Sequence, residues 1–263
     1  MTPARVDLLG VHVSLIRMDD AVDAMASWIA ERSRRYVCIT GVHGVIESRR
    51  DRFLQALHNR ADMVTPDGMP LVWLARRLGH DHIERVYGPD LMLALTALSP
   101  ARGYRHFYYG GAPGVAERLR DRLSEAHPGL QVVGLISPPF RELSAEEDEE
   151  TVRTINEARP DILWVGLSTP KQERWMAAHR ERIEAPVMVG VGAAFDFLAG
   201  VKSQAPEWMR KRGLEWLFRL CSEPRRLWRR YLHIVPAFLV LAAARLASAK
   251  IGRQSQREDP RAA

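Results

Sequence analysis

The sequence holds two cysteines, Cys38 and Cys221, far apart and at no metal-ligand or redox spacing. That excludes a disulfide framework and a cysteine-built zinc site, and two buried free thiols in a reducing compartment are expected. There is no HExxH, no CxxC, no GxSxG and no DxD after an apolar strand. No catalytic metal, no cofactor and no nucleophile triad is therefore expected. The full GxGxxG dinucleotide fingerprint is missing too, which counts against a nicotinamide-dependent oxidoreductase. His80-Asp81-His82 looks metal-like, but it follows Leu78-Gly79, where a helix should stop, and reads as a solvated loop. The opening MTPARVDLLG lacks the apolar stretch and cleavage site of an export signal. The longest apolar run, Ile234 to Ala244, is about 11 residues. A membrane-crossing helix needs about 20, so this run is expected to lie in an interface.

What is present is an ordinary globular composition with an uneven charge. Hydrophobic residues make up 46% and charged residues 27% of 263, enough to bury a full core. Residues 202–232 carry nine Lys or Arg against three acids, a net +6 that equals the net charge of the whole chain. Residues 233–263 add +3, which leaves the first 201 residues at −3. Trp208, Trp216, Phe218, Trp228 and Tyr231 are interleaved with the bases, and Trp175 lies nearby in sequence. A cationic, aromatic segment on a near-neutral body points to an anionic partner: phosphate, nucleic acid or a lipid surface.

Six short apolar runs read as strands: 36–40, 61–65, 105–109, 131–136, 162–167 and 186–191. Helix-period segments at 20–32, 51–60, 70–78, 90–98, 114–126, 145–158 and 170–183 alternate with them. Fully apolar strands alternating with helices indicate an α/β fold, with Rossmann-like parallel sheets flanked by helices. Val6–Ile16 suggests a hairpin or edge strand, and Ser144 with the acids after it marks a helix start. The expected organisation is a catalytic domain over 1–201, a basic amphipathic helical appendage over 202–251 and a polar disordered tail over 252–263.

In such folds ligands sit at the carboxyl ends of the strands. Asp67, in Thr65-Pro66-Asp67-Gly68, is either a turn residue or a carboxylate placed to act as a general base. Gly110-Gly111 offers either a sharp turn or backbone amides for a phosphate. In Ser168-Thr169-Pro170-Lys171-Gln172-Glu173, Ser168 or Thr169 suits a helix cap with Pro170 near N1, and Glu173 suits a capping box. Lys171 and Gln172 present a charge and an amide at the helix mouth. Asp196, flanked by Phe195 and Phe197, needs a partner if it is buried.

These motifs, in this order, resemble the WecG/TagA/CpsF bacterial glycosyltransferases from about residue 5 to 232. The matching pieces are Thr40 in the first strand exit, TPDG with Asp67, RVYGPDL at 85–91, YYGGAPG, VGLSTPKQE, VGVGAAFDFLAG and the basic segment from Gln204. The resemblance implies inverting, metal-independent transfer of a sugar from a UDP-sugar to a polyprenyl-pyrophosphate-linked glycan in cell-surface polysaccharide synthesis. It implies a cytoplasmic enzyme, peripheral on the inner face of the membrane. It implies Asp67 as general base with Thr40 near it, and Arg85, Asp90, Gln172 and Asp196 lining the nucleotide-sugar cleft. Appendage arginines, among Arg219, Arg225 and Arg226, would reach the pyrophosphate. Many members carry Thr-x-Asn at the first strand exit; here Thr40-Gly41-Val42-His43 has no Asn, and His43 either takes the polar role or packs. The competing reading from residues alone is a nucleic-acid-binding module using the basic segment.

Overall fold

The structure is a computed structural model that describes residues 3–258. Six strands form one parallel sheet: β3 (Arg35–Thr40), β4 (Met63–Pro66), β5 (Arg105–Gly110), β6 (Gln131–Ile136), β7 (Ile162–Gly166) and β8 (Val187–Gly190), in spatial order β4-β3-β8-β7-β5-β6. A two-stranded antiparallel hairpin, β1 (Arg5–Leu8) and β2 (Val11–Ser14), turns at Leu9-Gly10. The expected fold class and all six expected strands are present.

The strands are apolar throughout because both sheet faces are covered. Alternate residues point to opposite faces. Tyr36, Cys38, Phe107, Tyr109, Leu163 and Val165 enter one core. Val37, Ile39, Tyr108, Ile162 and Trp164 enter the other. The first face is covered by α2 (Val42–Arg50), α4 (Met69–Arg77), α7 (Ala145–Glu157) and α8 (Lys171–His179). The second is covered by α1 (Met18–Ala30), α5 (Gly88–Arg102), α6 (Val115–Ala126) and α9 (Ala194–Leu198). Helix α3 (Arg52–Arg60) packs on α2 and α8. Ser144 caps α7 in a capping box with Glu147, as its sequence indicates.

The chain leaves β3 toward one face of the sheet and β8 toward the other. The crevice at the carboxyl ends of these neighbouring strands is the topological switch point, where α/β folds bind ligands.

The C-terminal segment holds α10 (Glu207–Lys211), α11 (Glu215–Ser222) and α12 (Pro224–Glu258). Leu227, Ile234 and Phe238 recur at helical spacing on α12 and are buried, and the helix packs on α2 and α4. The opposite side exposes Trp228, Leu232 and Val240.

Several expectations are corrected here. Helix α12 is one element, and its stretch Leu227–Ile251, mean hydropathy 1.8, is long and apolar enough to cross a membrane by length and composition. Counting only the uninterrupted apolar run missed this, because a helix tolerates an isolated Arg245. Helix α12 runs through Glu258, and residues 259–263, the end of the tail expected from Gly252, lie outside the described residues. Cys38 is buried but Cys221 is exposed on α11. Trp175 belongs to the body: it stacks between Tyr109 and His179, with ring centroids 4.4 and 4.2 Å away.

Candidate active site

Asp67 follows β4 directly, at the rim of the switch-point crevice. Its backbone N–H donates to the carbonyl of Thr40 at the end of β3 (2.9 Å), which ties the two strand exits together. The exits come so close that a Cβ on Gly41 would stand 2.8 Å from the Asp67 carbonyl oxygen. Glycine is required there by close approach of backbone to backbone. Thr40 itself is buried behind this contact, and its Oγ1 has no hydrogen-bond partner among the described residues.

The Asp67 side chain remains 28% exposed and opens into a cleft of about 1580 Å³. One wall is the body: Gly41, His43, Arg85, Ser168, Gln172 and Asp196. The other wall is the C-terminal segment, including Arg210, Glu215, Arg219 and Arg230. Beyond them the cleft continues between Val42, Trp73 and Leu74 on one side and Ile234, Phe238, Leu239 and Leu246 of α12 on the other. A charged end thus runs into an apolar end.

Ion pairs join the two walls. Arg85 Nη2 lies 3.8 Å from Asp67 Oδ1 and donates to Glu215 Oε2 at 2.5 Å. Arg219 Nη2 donates to Glu215 Oε1 at 2.7 Å, and the Tyr87 hydroxyl donates to the same oxygen at 3.3 Å. The Arg85 guanidinium also stacks over Tyr87, 3.9 Å from the ring centroid. Arg210 reaches Asp90 at 3.3 Å. Lys202 reaches Asp196 at 2.8 Å, which supplies the partner that carboxylate needs.

Burial is the largest influence on Asp67 and pushes its carboxyl up to about 6. Arg85 and Arg219 pull it down, while Glu215 and Asp90 push it further up. A carboxyl with this affinity for a proton suits general-base chemistry near neutral pH. Burial works against the charge of Arg219, but Glu215, Tyr87 and Asp67 overcome it and hold the guanidinium charged. His43, in the first turn of α2, is pushed down by burial and by Arg230, with Glu47 opposing.

Asp67, His43, Arg85, Gln172, Asp196 and Arg219 therefore converge on one cleft, and Asp90 joins them through Arg210. Other expected residues do not converge. Gly110 and Gly111 form a positive-φ turn against β7, where Gly111 N–H donates to the Gly166 carbonyl. A Cβ on Gly110 would meet Gly166 backbone at 2.6 Å, so the turn reading describes this loop, away from the cleft lining. Lys171 is exposed outside the cleft. Arg225 is exposed and not on the lining, and the side chain of Arg226 lies outside the described residues. No side chain caps α8, whose N-cap is Pro170. Instead Glu173 Oε1 accepts from the Thr169 hydroxyl (2.9 Å) and from Gln172 Nε2 (3.2 Å). Gln172 Oε1 accepts from Gly192 N–H (2.9 Å), so this amide braces the β7 and β8 exits against each other. His82 pairs with Asp20 at 2.7 Å. Among the described residues, no group of three or more His, Cys, Asp or Glu converges as a metal site.

Reading the sequence alone missed Glu215, Tyr87, Lys202, Arg210 and Arg230. The i,i+4 spacing of Glu215 and Arg219 on an amphipathic helix was the available signal for one pair.

Residues 6–252 match the glycosyl transferase WecG/TagA/CpsF family. The chain belongs to that family. Similar proteins include the N-acetylglucosaminyldiphosphoundecaprenol N-acetyl-beta-D-mannosaminyltransferases of Staphylococcus aureus strains MW2 and NCTC 8325 / PS 47. Each is 28% identical over 242 residues, covering 90% of this chain and 91% of the relative. As a WecG/TagA/CpsF glycosyltransferase of cell-envelope polymer synthesis, the chain places Asp67 and the cations facing it in a cleft of about 1580 Å³.

Proposed function

We propose that this protein transfers a sugar from a UDP-sugar to a glycan carried on a polyprenyl diphosphate, with inversion at the anomeric carbon and Asp67 as general base. The observation that carries the reading is the Asp67 carboxyl, pushed up to about 6, at the point where a cationic cleft turns into an apolar one. An acceptor with a sugar, a diphosphate and a polyprenyl stem has the same sequence of chemistries. The names of the Staphylococcus aureus relatives specify such an acceptor, an N-acetylglucosaminyl diphosphoundecaprenol.

In this mechanism Asp67 removes the proton of the acceptor hydroxyl as that oxygen attacks the anomeric carbon. The new C–O bond forms as the bond to UDP breaks on the opposite face, and the electron pair leaves on the β-phosphate oxygen. Base assistance of this kind accelerates transfer by roughly 10²–10⁴. Arg219 and Arg230 face the cleft and can stabilise the departing diphosphate without a divalent cation. Thr40 fixes the Asp67 backbone; His43, Asp90 and Asp196 supply polar contacts to the sugars and nucleotide. Arg225 lies on the outer, lipid-facing side, with the exposed apolar side chains of α12. The protein works on the inner membrane face, held by this helix. A nucleic-acid-binding reading loses its footing, because Lys202, Arg210, Lys211 and Arg219 all pair with carboxylates.

The test is UDP release from a panel of UDP-sugars, with and without sugar-diphosphate-polyprenol acceptors, in the presence of EDTA. Release with at least one donor should depend on the acceptor and survive EDTA. Acceptor-independent hydrolysis, or complete loss in EDTA restored by Mg²⁺, would overturn the scheme.

A further inference from the structure

We infer that Glu215 is a positioning residue for the transfer reaction: it holds Arg85 off Asp67 and so keeps the base free and basic. The inference rests on the reading of Asp67 as the base.

The geometry is a competition between two carboxylates for one guanidinium. Arg85 stands 2.5 Å from Glu215 and 3.8 Å from Asp67, both measured from the same Nη2. The Arg85 and Glu215 side chains are 12% and 17% exposed, so solvent screens this choice weakly. Glu215 is itself fixed from three directions, by Arg85, Arg219 and the Tyr87 hydroxyl. Stacking on Tyr87 anchors the Arg85 guanidinium within reach of both carboxylates. If the charge of Glu215 is removed, the buried Arg85 has Asp67 as its nearest anion. A direct Arg85–Asp67 ion pair would occupy the lone pair that must take the acceptor's proton and would lower its proton affinity.

The other charged groups facing Asp67 are Asp90 on α5 and Arg219 on α11. Tyr87 also faces Asp67, its hydroxyl held protonated by burial and by Glu215. Arg210 from α10 already engages Asp90. His43 on α2 lines the same cleft, and its charged neighbours are Arg230 and Glu47. Of the two anions beside Asp67, Glu215 alone grips Arg85, and it is delivered by the C-terminal segment. Docking of that segment therefore sets the strength of the base as well as closing the cleft.

The experiment is the kcat–pH profile of Glu215→Gln, which keeps shape and hydrogen-bond acceptance but loses charge. Its acid-limb midpoint should fall by about one unit from the wild-type value, with plateau kcat reduced several-fold as the base weakens. Arg85→Gln in the Glu215→Gln background removes the cation as well, and its midpoint should return to the wild-type value or above. That double variant removes the Arg85–Glu215 pair as a unit, so it also serves if Glu215→Gln alone folds poorly. A merely structural role for Glu215 would lower activity at an unchanged midpoint, and that result overturns the inference. So does a double variant whose midpoint stays low. If Asp67→Asn retains turnover, the base reading falls and takes this inference with it. If Asp67→Asn is inactive while Glu215→Gln keeps the wild-type midpoint, this inference falls alone.

Discussion

The body of the protein and its C-terminal segment are held in place by different forces. In the body, strands buried on both faces carry the positions of the loops, and Asp67, Gln172 and Gly192 are fixed by backbone contacts between strand exits. The segment docks through one apolar stripe, Leu227, Ile234 and Phe238, and through ion pairs from Lys202, Arg210 and Glu215 to the cleft. The body provides Asp90, Asp196 and Arg85, and the segment answers them with Arg210, Lys202 and Glu215. A rigid wall thus meets a wall whose attachment depends on charge.

The sharpest way to break this comparison is to undock the segment while leaving the body folded. Ile234→Asp puts an unpaired carboxylate into the α2–α4–α12 contact, 3% exposed in the native structure. It should shift docking by about 3 kcal/mol, roughly a hundredfold. Limited proteolysis should then cut between residues 202 and 225 while the 1–201 fragment survives, and transfer should fall in parallel. Loss of the body along with the segment would show that the two are not separable in this way.

A smaller effect separates the inner and outer sides of α12. Leu232→Ser with Val240→Ser changes exposed side chains off the cleft lining, 61% and 68% accessible, and should weaken binding to phosphatidylglycerol vesicles by about 1–3 kcal/mol. Added salt should weaken it further, by about 1 kcal/mol for each near-surface base screened. Equal, salt-insensitive binding of variant and wild type in a co-sedimentation assay would remove the membrane role of that side.

How much of this was legible in the sequence follows the same division. All six strands were, because burial on both faces leaves an apolar run that periodicity reveals. The strand-exit position of Asp67 followed from them. Helix α2 was not, since it begins at Val42, straight after the N-cap Gly41, without a side-chain cap and with Gly44 inside it. The capping of α7 was legible because Ser144 and Glu147 act locally; that of α8 was not, because Glu173 turns to Thr169 and Gln172 instead of the backbone. In the C-terminal segment the charge count was correct but did not say which bases are engaged within the chain. The count gives nine bases for an external anion, whereas Lys202, Arg210, Lys211 and Arg219 find carboxylates within the chain. Only three-dimensional pairing separates these from Arg230, which lines the cleft, and Arg225, which faces out.

The smallest expected effect is on stability, and it has a definite sign. The Asp67 carboxyl is raised from 3.8 to about 6 in the folded protein, so ionising it opposes folding. Wild-type stability from this group is fully present below about pH 4 and is lost as pH rises through about 6. Asp67→Asn should therefore melt above wild type at pH 8, by about 1–2 kcal/mol, and with it at pH 4. Measured on that same variant, kcat for acceptor-dependent UDP release is the most direct test of the central claim. With Asp67 as the base, Asp67→Asn is folded, at least as stable as wild type at pH 8, and slower by roughly 10²–10⁴. A folded Asp67→Asn that turns over near the wild-type rate would contradict it.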